Sequence, residues 1–234
     1  YALLYSQDFQ WSPAVLLSEG RDAYAWWLAG DPGDRIILSQ DPNYLQLLYV
    51  LLLPFAALPW TLAKIAWGLV NAGLGAACGL MLARDAGLSG RLAFVALATF
   101  LAASPFAHAL GNGQMSLLVL FALTLAWRAR ARAAGGASLA VAATKYSFAP
   151  PVFLWLLLER RVSALGFAAL VSAAGVVVYA ALSGVWSVSL LAAPLQVSAQ
   201  ATHVGLADLM SFARAAGLDE RFGGAAVYGA GVGD

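Results

Sequence analysis

The chain has 234 residues, of which 62% are hydrophobic and 11% charged, and its formal net charge is +1. Soluble domains run at about 45–50% apolar and about 25% charged. With a mean hydropathy of +0.77, this composition excludes a disordered chain, a coiled coil, a disulfide scaffold and nearly every soluble enzyme. It leaves an all-α fold, a polytopic helical bundle in a membrane.

The 13 basic and 12 acidic residues nearly cancel. No basic stripe is interleaved with aromatics, so nucleic acid is not an expected partner. Cys78 is the single cysteine, which leaves no internal disulfide and no cysteine-based metal site. His108 and His203 lie far apart and form no metal-ligand spacing, so neither a metal nor a cofactor is expected. The chain opens on Tyr1 and closes in glycine-rich sequence. We therefore expect a piece of a longer protein.

In a membrane protein the charges mark the loops. They gather at 8–41, 84–91, 128–132, 159–161 and 208–221, and none interrupts 92–127 or 162–207. Three interior loops are basic: Arg84/Arg91, Arg128/Arg130/Arg132 and Arg160/Arg161. The excess of positive charge places them on the cytoplasmic side. An even number of crossings must then separate each pair.

In chain order, this places 1–43 in an extracytoplasmic loop. Residues 44–58, apolar but short and carrying Pro54, read as an interfacial or re-entrant helix. Membrane helices are expected at 60–83, 92–110, 113–127, 134–146, 148–159 and 162–182. The glycines Gly73, Gly75 and Gly79 would let one of them approach its neighbours closely. Residues 183–234 form a second extracytoplasmic segment, with 206–216 as an interfacial helix. Between Arg132 and Arg160 the run would span roughly 39 Å as one helix. Two short helices meeting near Lys145, ahead of Pro150-Pro151, keep the charge rule. Broken backbone at membrane depth needs protein or a watery cavity around it.

The chemistry-bearing candidates fall on the outer side. Asp8, in Tyr5-Ser-Gln-Asp-Phe-Gln-Trp, reads either as a general base toward a hydroxyl or as a solvated loop acid or helix cap. Glu19, Arg21, Asp22, Asp31, Asp34, Arg35 and Asp41 read as loop surface. Trp11, Tyr24, Trp26 and Trp27 suit interfacial anchoring or stacking on a sugar. Lys145 is the sharpest single residue, an ionisable group in apolar sequence. It fits a carboxylate or phosphate partner, or it snorkels to the headgroups. Asn112 and Gln114 either donate hydrogen bonds into the same cavity or serve a tight turn. His203 reads as a surface residue or a further site residue.

Asp8-Phe9 followed by Glu19-Gly20-Arg21-Asp22-Ala23-Tyr24 resembles the "D-F…G-x-D-P-Y" opening loop of integral-membrane glycosyltransferases of the GT-C superfamily. Asn43-Tyr44-Leu45 with Leu53-Pro54-Phe55-Ala56-Ala57-Leu58-Pro59 resembles the "Y-P-P-L…P-L-A-x-L-P" stretch of glycosyltransferase family 87. Gly113-Gln114-Met115-Ser116-Leu117-Leu118 resembles that family's "G-Q-x-N-x-L-L". Ala142-Ala143-Thr144-Lys145 with Pro150-Pro151 resembles its "A-x-x-K-x-x-P" helix break. The four matches run in order from Asp8 to Arg161. Leu45-Gln46 stands in place of Pro-Pro, and Ser116 in place of Asn.

The resemblance implies a polyprenyl-phosphate sugar donor (mannose in family 87), a lipid or glycan acceptor, an extracytoplasmic active site in the inner membrane, and membrane lipids around it. It implies an aspartate base in the first outer loop, where Asp8 stands. Lys145 falls on the helix-break lysine, suited to the donor phosphate. The substrate-binding set expected on this basis is Lys145, Gln114, Asn112, Arg21, Asp22 and His203. Two other classes stay open to sequence: a transporter or flippase of a lipid-linked or anionic substrate, and a membrane subunit with no chemistry.

Overall fold

The computed structural model describes residues 6–30, 35–129, 132–146 and 149–201. These residues form helices and no strand. In chain order they are α1 (Trp11–Ser18), α2 (Ala23–Leu28), α3 (Gln46–Ala56), α4 (Trp60–Asp85), α5 (Gly90–Ala102), α6 (Ser104–Gly111), α7 (Ser116–Arg128), α8 (Arg132–Ala143), α9 (Ala149–Leu158), α10 (Val162–Ser183) and α11 (Ser189–Ala201). The expected helix at 206–216 lies outside the described residues.

Two of the described helices are long and apolar enough to cross a membrane, α4 with 26 residues and α10 with 22. The segment 92–110, expected as one helix, is α5 and α6, bent by 55°. Ala103 is extended at the break (ψ 139°) and Pro105 follows in the first turn of α6. Proline has no N–H to give the carbonyl four residues back, so a straight helix is interrupted there. Pro150 and Pro151 open α9, where missing N–H groups leave no intrahelical bond unmade.

The outer surface is apolar. No residue of α5 is buried. Phe94 is 71% exposed, Leu69 on α4 70% and Leu170 on α10 63%. Large apolar side chains exposed along three helices are unsuited to water and suited to hydrocarbon. The chain is a helical membrane protein.

Inside, close helix contacts depend on missing side chains. A Cβ at Gly136 of α8 would lie 2.7 Å from the Ala164 carbonyl of α10. Gly75 and Gly79 of α4 admit Phe106, Leu97 and Phe100 in the same way, whereas Gly73 faces open space.

The bundle has two distinct ends. At one, Arg128 closing α7 pairs with Asp85 closing α4, and Arg161 donates to the Ala129 carbonyl at 2.6 Å. At the other, the Trp67 indole N–H, near the start of α4, donates to the Gly113 carbonyl at 2.8 Å, just before α7. A helix as long as α4 separates its ends by about 39 Å.

Candidate active site

The site lies at the end away from Arg128 and Arg161, and three separate stretches build it. The first is the loop 6–10. Phe9 anchors it, fully buried, stacked on Trp67 with ring centroids 5.2 Å apart and edge-on to Phe55. The backbone of this loop lies on the α6–α7 turn. Asp8 N–H donates to the Asn112 carbonyl at 2.9 Å, and Ser6 N–H to the Gly111 carbonyl at 3.3 Å. Gly113 makes the approach possible. Its φ is +66°, and a Cβ there would come within 3.0 Å of Phe9 Cβ. Only glycine adopts that conformation without strain.

The second stretch is the α6–α7 turn itself. Gln114 donates from Nε2 to Asp8 Oδ2 at 3.0 Å. Asn71 on α4 donates to the Gln114 carbonyl at 3.3 Å.

The third is the break between α8 and α9. Thr144 is buried, and its carbonyl accepts from the Leu45 N–H at 3.0 Å, which ties the break to the segment entering α3. Lys145 Nζ donates to Ser116 Oγ at 3.3 Å and stands 5.7 Å from the centre of the Tyr44 ring. A cation over an aromatic face is attracted by the ring's negative quadrupole. Burial, and after it the charge of Asp8, push the Tyr44 hydroxyl up from its ordinary value.

Asp8 and Lys145 line one cavity of about 360 Å³, together with Gln10, Ser39, Asn43, Tyr44, Tyr146 and Ser198. That volume lies in the range of small-molecule sites. Tyr146 and Ser198 share a hydroxyl–hydroxyl hydrogen bond, which brings α11 against the α8–α9 break. The Gln10 side chain accepts from Tyr49 at 3.4 Å, above a cluster of Tyr24, Tyr49 and Tyr179 with ring centroids 5.4–6.2 Å apart.

Of the residues expected from sequence, the fold brings Asp8, Gln114 and Lys145 together. Asn112 contributes its backbone carbonyl to the seat of Asp8. Arg21 does not line the cavity. It lies beside Glu19 at 3.8 Å and over the Trp26 ring at 5.0 Å. Asp22 caps α2, accepting from Tyr24 N–H at 3.0 Å and from the Tyr179 hydroxyl at 2.9 Å. His203 lies outside the described residues. Gln10, Ser39, Tyr146 and Ser198 were not singled out from sequence, and Asn43 entered only within the Asn43-Tyr44-Leu45 resemblance. They are neutral polar side chains with no spacing signature of a site. Among the described residues, no group of three or more His, Cys, Asp or Glu side chains could hold a metal ion.

The described residues thus make a helical membrane protein whose polar cavity carries one carboxylate and one ammonium. A family model for glycosyltransferase family 87 matches residues 47–232. The chain belongs to that family and is a glycosyltransferase. The matched stretch contains Gln114, Ser116 and Lys145 and begins beyond Asp8. No curated protein and no solved structure matches the chain.

Proposed function

We propose that this glycosyltransferase takes its sugar, with mannose the first candidate, from a polyprenyl-phosphate donor and transfers it to an acceptor hydroxyl, inverting the anomeric carbon. One observation carries the reading: Asp8 and Lys145 line the same cavity. Asp8 removes the acceptor's hydroxyl proton as that oxygen attacks the anomeric carbon. The bond from that carbon to the phosphate oxygen breaks, and its electron pair leaves with the phosphate. Lys145 stabilises the charge that develops there. The neutral polar lining of Gln10, Asn43 and Ser198 suits sugar hydroxyls, and the apolar helix surface suits the prenyl chain.

The sidedness follows from charge. The arginine-bearing end, with Arg128 and Arg161, fits the cytoplasmic side. The cavity, at the other end, then faces the extracytoplasmic side of the cell membrane. The transport reading lacks a matching feature, because paired repeats around a midplane site have no counterpart in a cavity built from the 6–10 loop, one helix turn and one helix break.

The test is transfer of labelled mannose from polyprenyl-phosphate mannose by membranes that contain the full chain. Asp8→Asn keeps the shape and the hydrogen bond from Gln114 but cannot take a proton. It should lower the rate by about 100-fold or more, the usual contribution of a general base. Transfer at the wild-type rate would remove Asp8 from the mechanism.

A further inference from the structure

We propose that Gln114 and Ser116 are positioning residues that fix the carboxylate of Asp8 and couple it to the ammonium of Lys145. The inference rests on the reading of Asp8 as the base. Four side chains form one continuous hydrogen-bonded chain. Lys145 Nζ donates to Ser116 Oγ at 3.3 Å, Ser116 Oγ donates to Gln114 Oε1 at 3.4 Å, and Gln114 Nε2 donates to Asp8 Oδ2 at 3.0 Å.

The two ends dictate the direction of every bond. An ammonium can only donate, and an ionised carboxylate can only accept. Facing Asp8, Gln114 must therefore present its NH₂, which turns its carbonyl toward Ser116. Ser116 must give its one proton to that carbonyl, which leaves its oxygen lone pairs for Lys145. No other assignment of the amide or the hydroxyl satisfies both ends. Bonds aligned head to tail polarise one another, so the positive end strengthens the donation at the negative end.

The consequence for catalysis is geometric. Asp8 sits on a loop, and a loop carboxylate with two free torsions would sample several orientations. Its backbone is held by the Asn112 carbonyl, and Gln114 holds Oδ2. Among the described residues, Oδ1 accepts no hydrogen bond, so one oxygen is pinned and the other remains for the acceptor hydroxyl. An orienting bond of this kind acts on the chemical step more than on substrate affinity, because near-attack geometry is what it supplies. Gln114 and Ser116 themselves are absent from the cavity lining, as positioning residues should be.

The experiment measures initial rates against donor concentration with full-chain membranes and a panel of polyprenyl-phosphate hexoses, mannose first. Gln114→Met keeps the side-chain length and removes the amide. It should lower kcat by about 10- to 100-fold, the loss of a hydrogen bond to a charged group, with donor KM within about twofold. Ser116→Ala should lower kcat by about three- to tenfold, and Ser116→Thr, which keeps the hydroxyl, should restore it. The double variant Gln114→Met with Ser116→Ala should be no slower than Gln114→Met alone, because a broken chain cannot be broken twice.

A wild-type kcat in Gln114→Met, a rise confined to donor KM, or losses that multiply in the double variant would each overturn the proposal. Gel filtration of the variants in detergent separates misfolding from lost positioning, and a Ser116→Thr chain that elutes as wild type yet stays slow would also overturn it. Asp8→Asn separates the two levels. If it is inactive while Gln114→Met is fully active, the positioning role fails and the base stands. If it is active, or if the wild type turns over no member of the panel, the base or donor reading fails and the positioning role fails with it.

Discussion

Asp22 and Tyr179 show how a single polar contact can join distant parts of the chain. The Tyr179 hydroxyl donates to Asp22 Oδ1 at 2.9 Å and accepts from the Ala23 N–H at 3.1 Å. Tyr179 and Ala23 are fully buried. Removing the hydroxyl would leave that N–H without a partner, and an orphaned buried donor costs about 1–3 kcal/mol. Tyr179→Phe should therefore lower stability by about that amount, read as a fall in the thermal unfolding midpoint in detergent, with kcat unchanged. Asp22 itself was singled out in the opening loop, yet its carboxylate is occupied by α2 and α10. Sequence shows that an acid is present but not which way it points. Lys145 and Asp8 stood out as candidates for different reasons. Lys145 is a lone ionisable residue among apolar ones, which needs a compensating environment, while Asp8 stood out through the resemblance of Asp8-Phe9 to the family's opening loop. The neutral residues on the same cavity, such as Ser39 and Ser198, have no such requirement and leave no trace in the sequence.

At the scale of elements, helix contact is set by where bulk is missing. The α8–α10 crossing depends on Gly136, where a Cβ would also lie 2.7 Å from Phe167 Cβ. Gly136→Leu should destabilise the protein by at least about 1–3 kcal/mol through overpacking, seen as loss of a monodisperse peak in detergent. Gly73→Ala is the matching control. Its Cβ meets nothing within 4 Å, so a stable, monodisperse chain is expected there. The small-residue spacing on α4 was visible in sequence, but which glycines are contacted was not, since that depends on the face α4 turns to α5 and α6. The bend between α5 and α6 has the same character. The run 92–110 reads in sequence as one helix, whereas the structure bends it by 55° and seats Phe106 against Gly75.

At the scale of the whole molecule, the proposed orientation makes a prediction about access. Cys78 is buried and contacts Thr124 at 3.3 Å, so Cys78→Ser gives a mild cysteine-free background. In it, Ser39→Cys, on the cavity, should react with an impermeant maleimide on intact cells. Arg91→Cys, in the first turn of α5, should react only after lysis. The reverse pattern would invert the orientation and place the cavity on the cytoplasmic side.

Sequence alone determined the solvent of this protein. Hydrocarbon demands apolar helices, so membrane character is written in composition and in the long charge-free runs. The family follows from short ordered motifs, which also survive in linear sequence. The site was decided by tertiary structure. Asp8 and Lys145 are 137 positions apart (145 − 8), and they share a cavity because Phe9 stacks on Trp67 and the Leu45 N–H closes on Thr144. Those contacts are made by packing in three dimensions. No spacing along the chain encodes them.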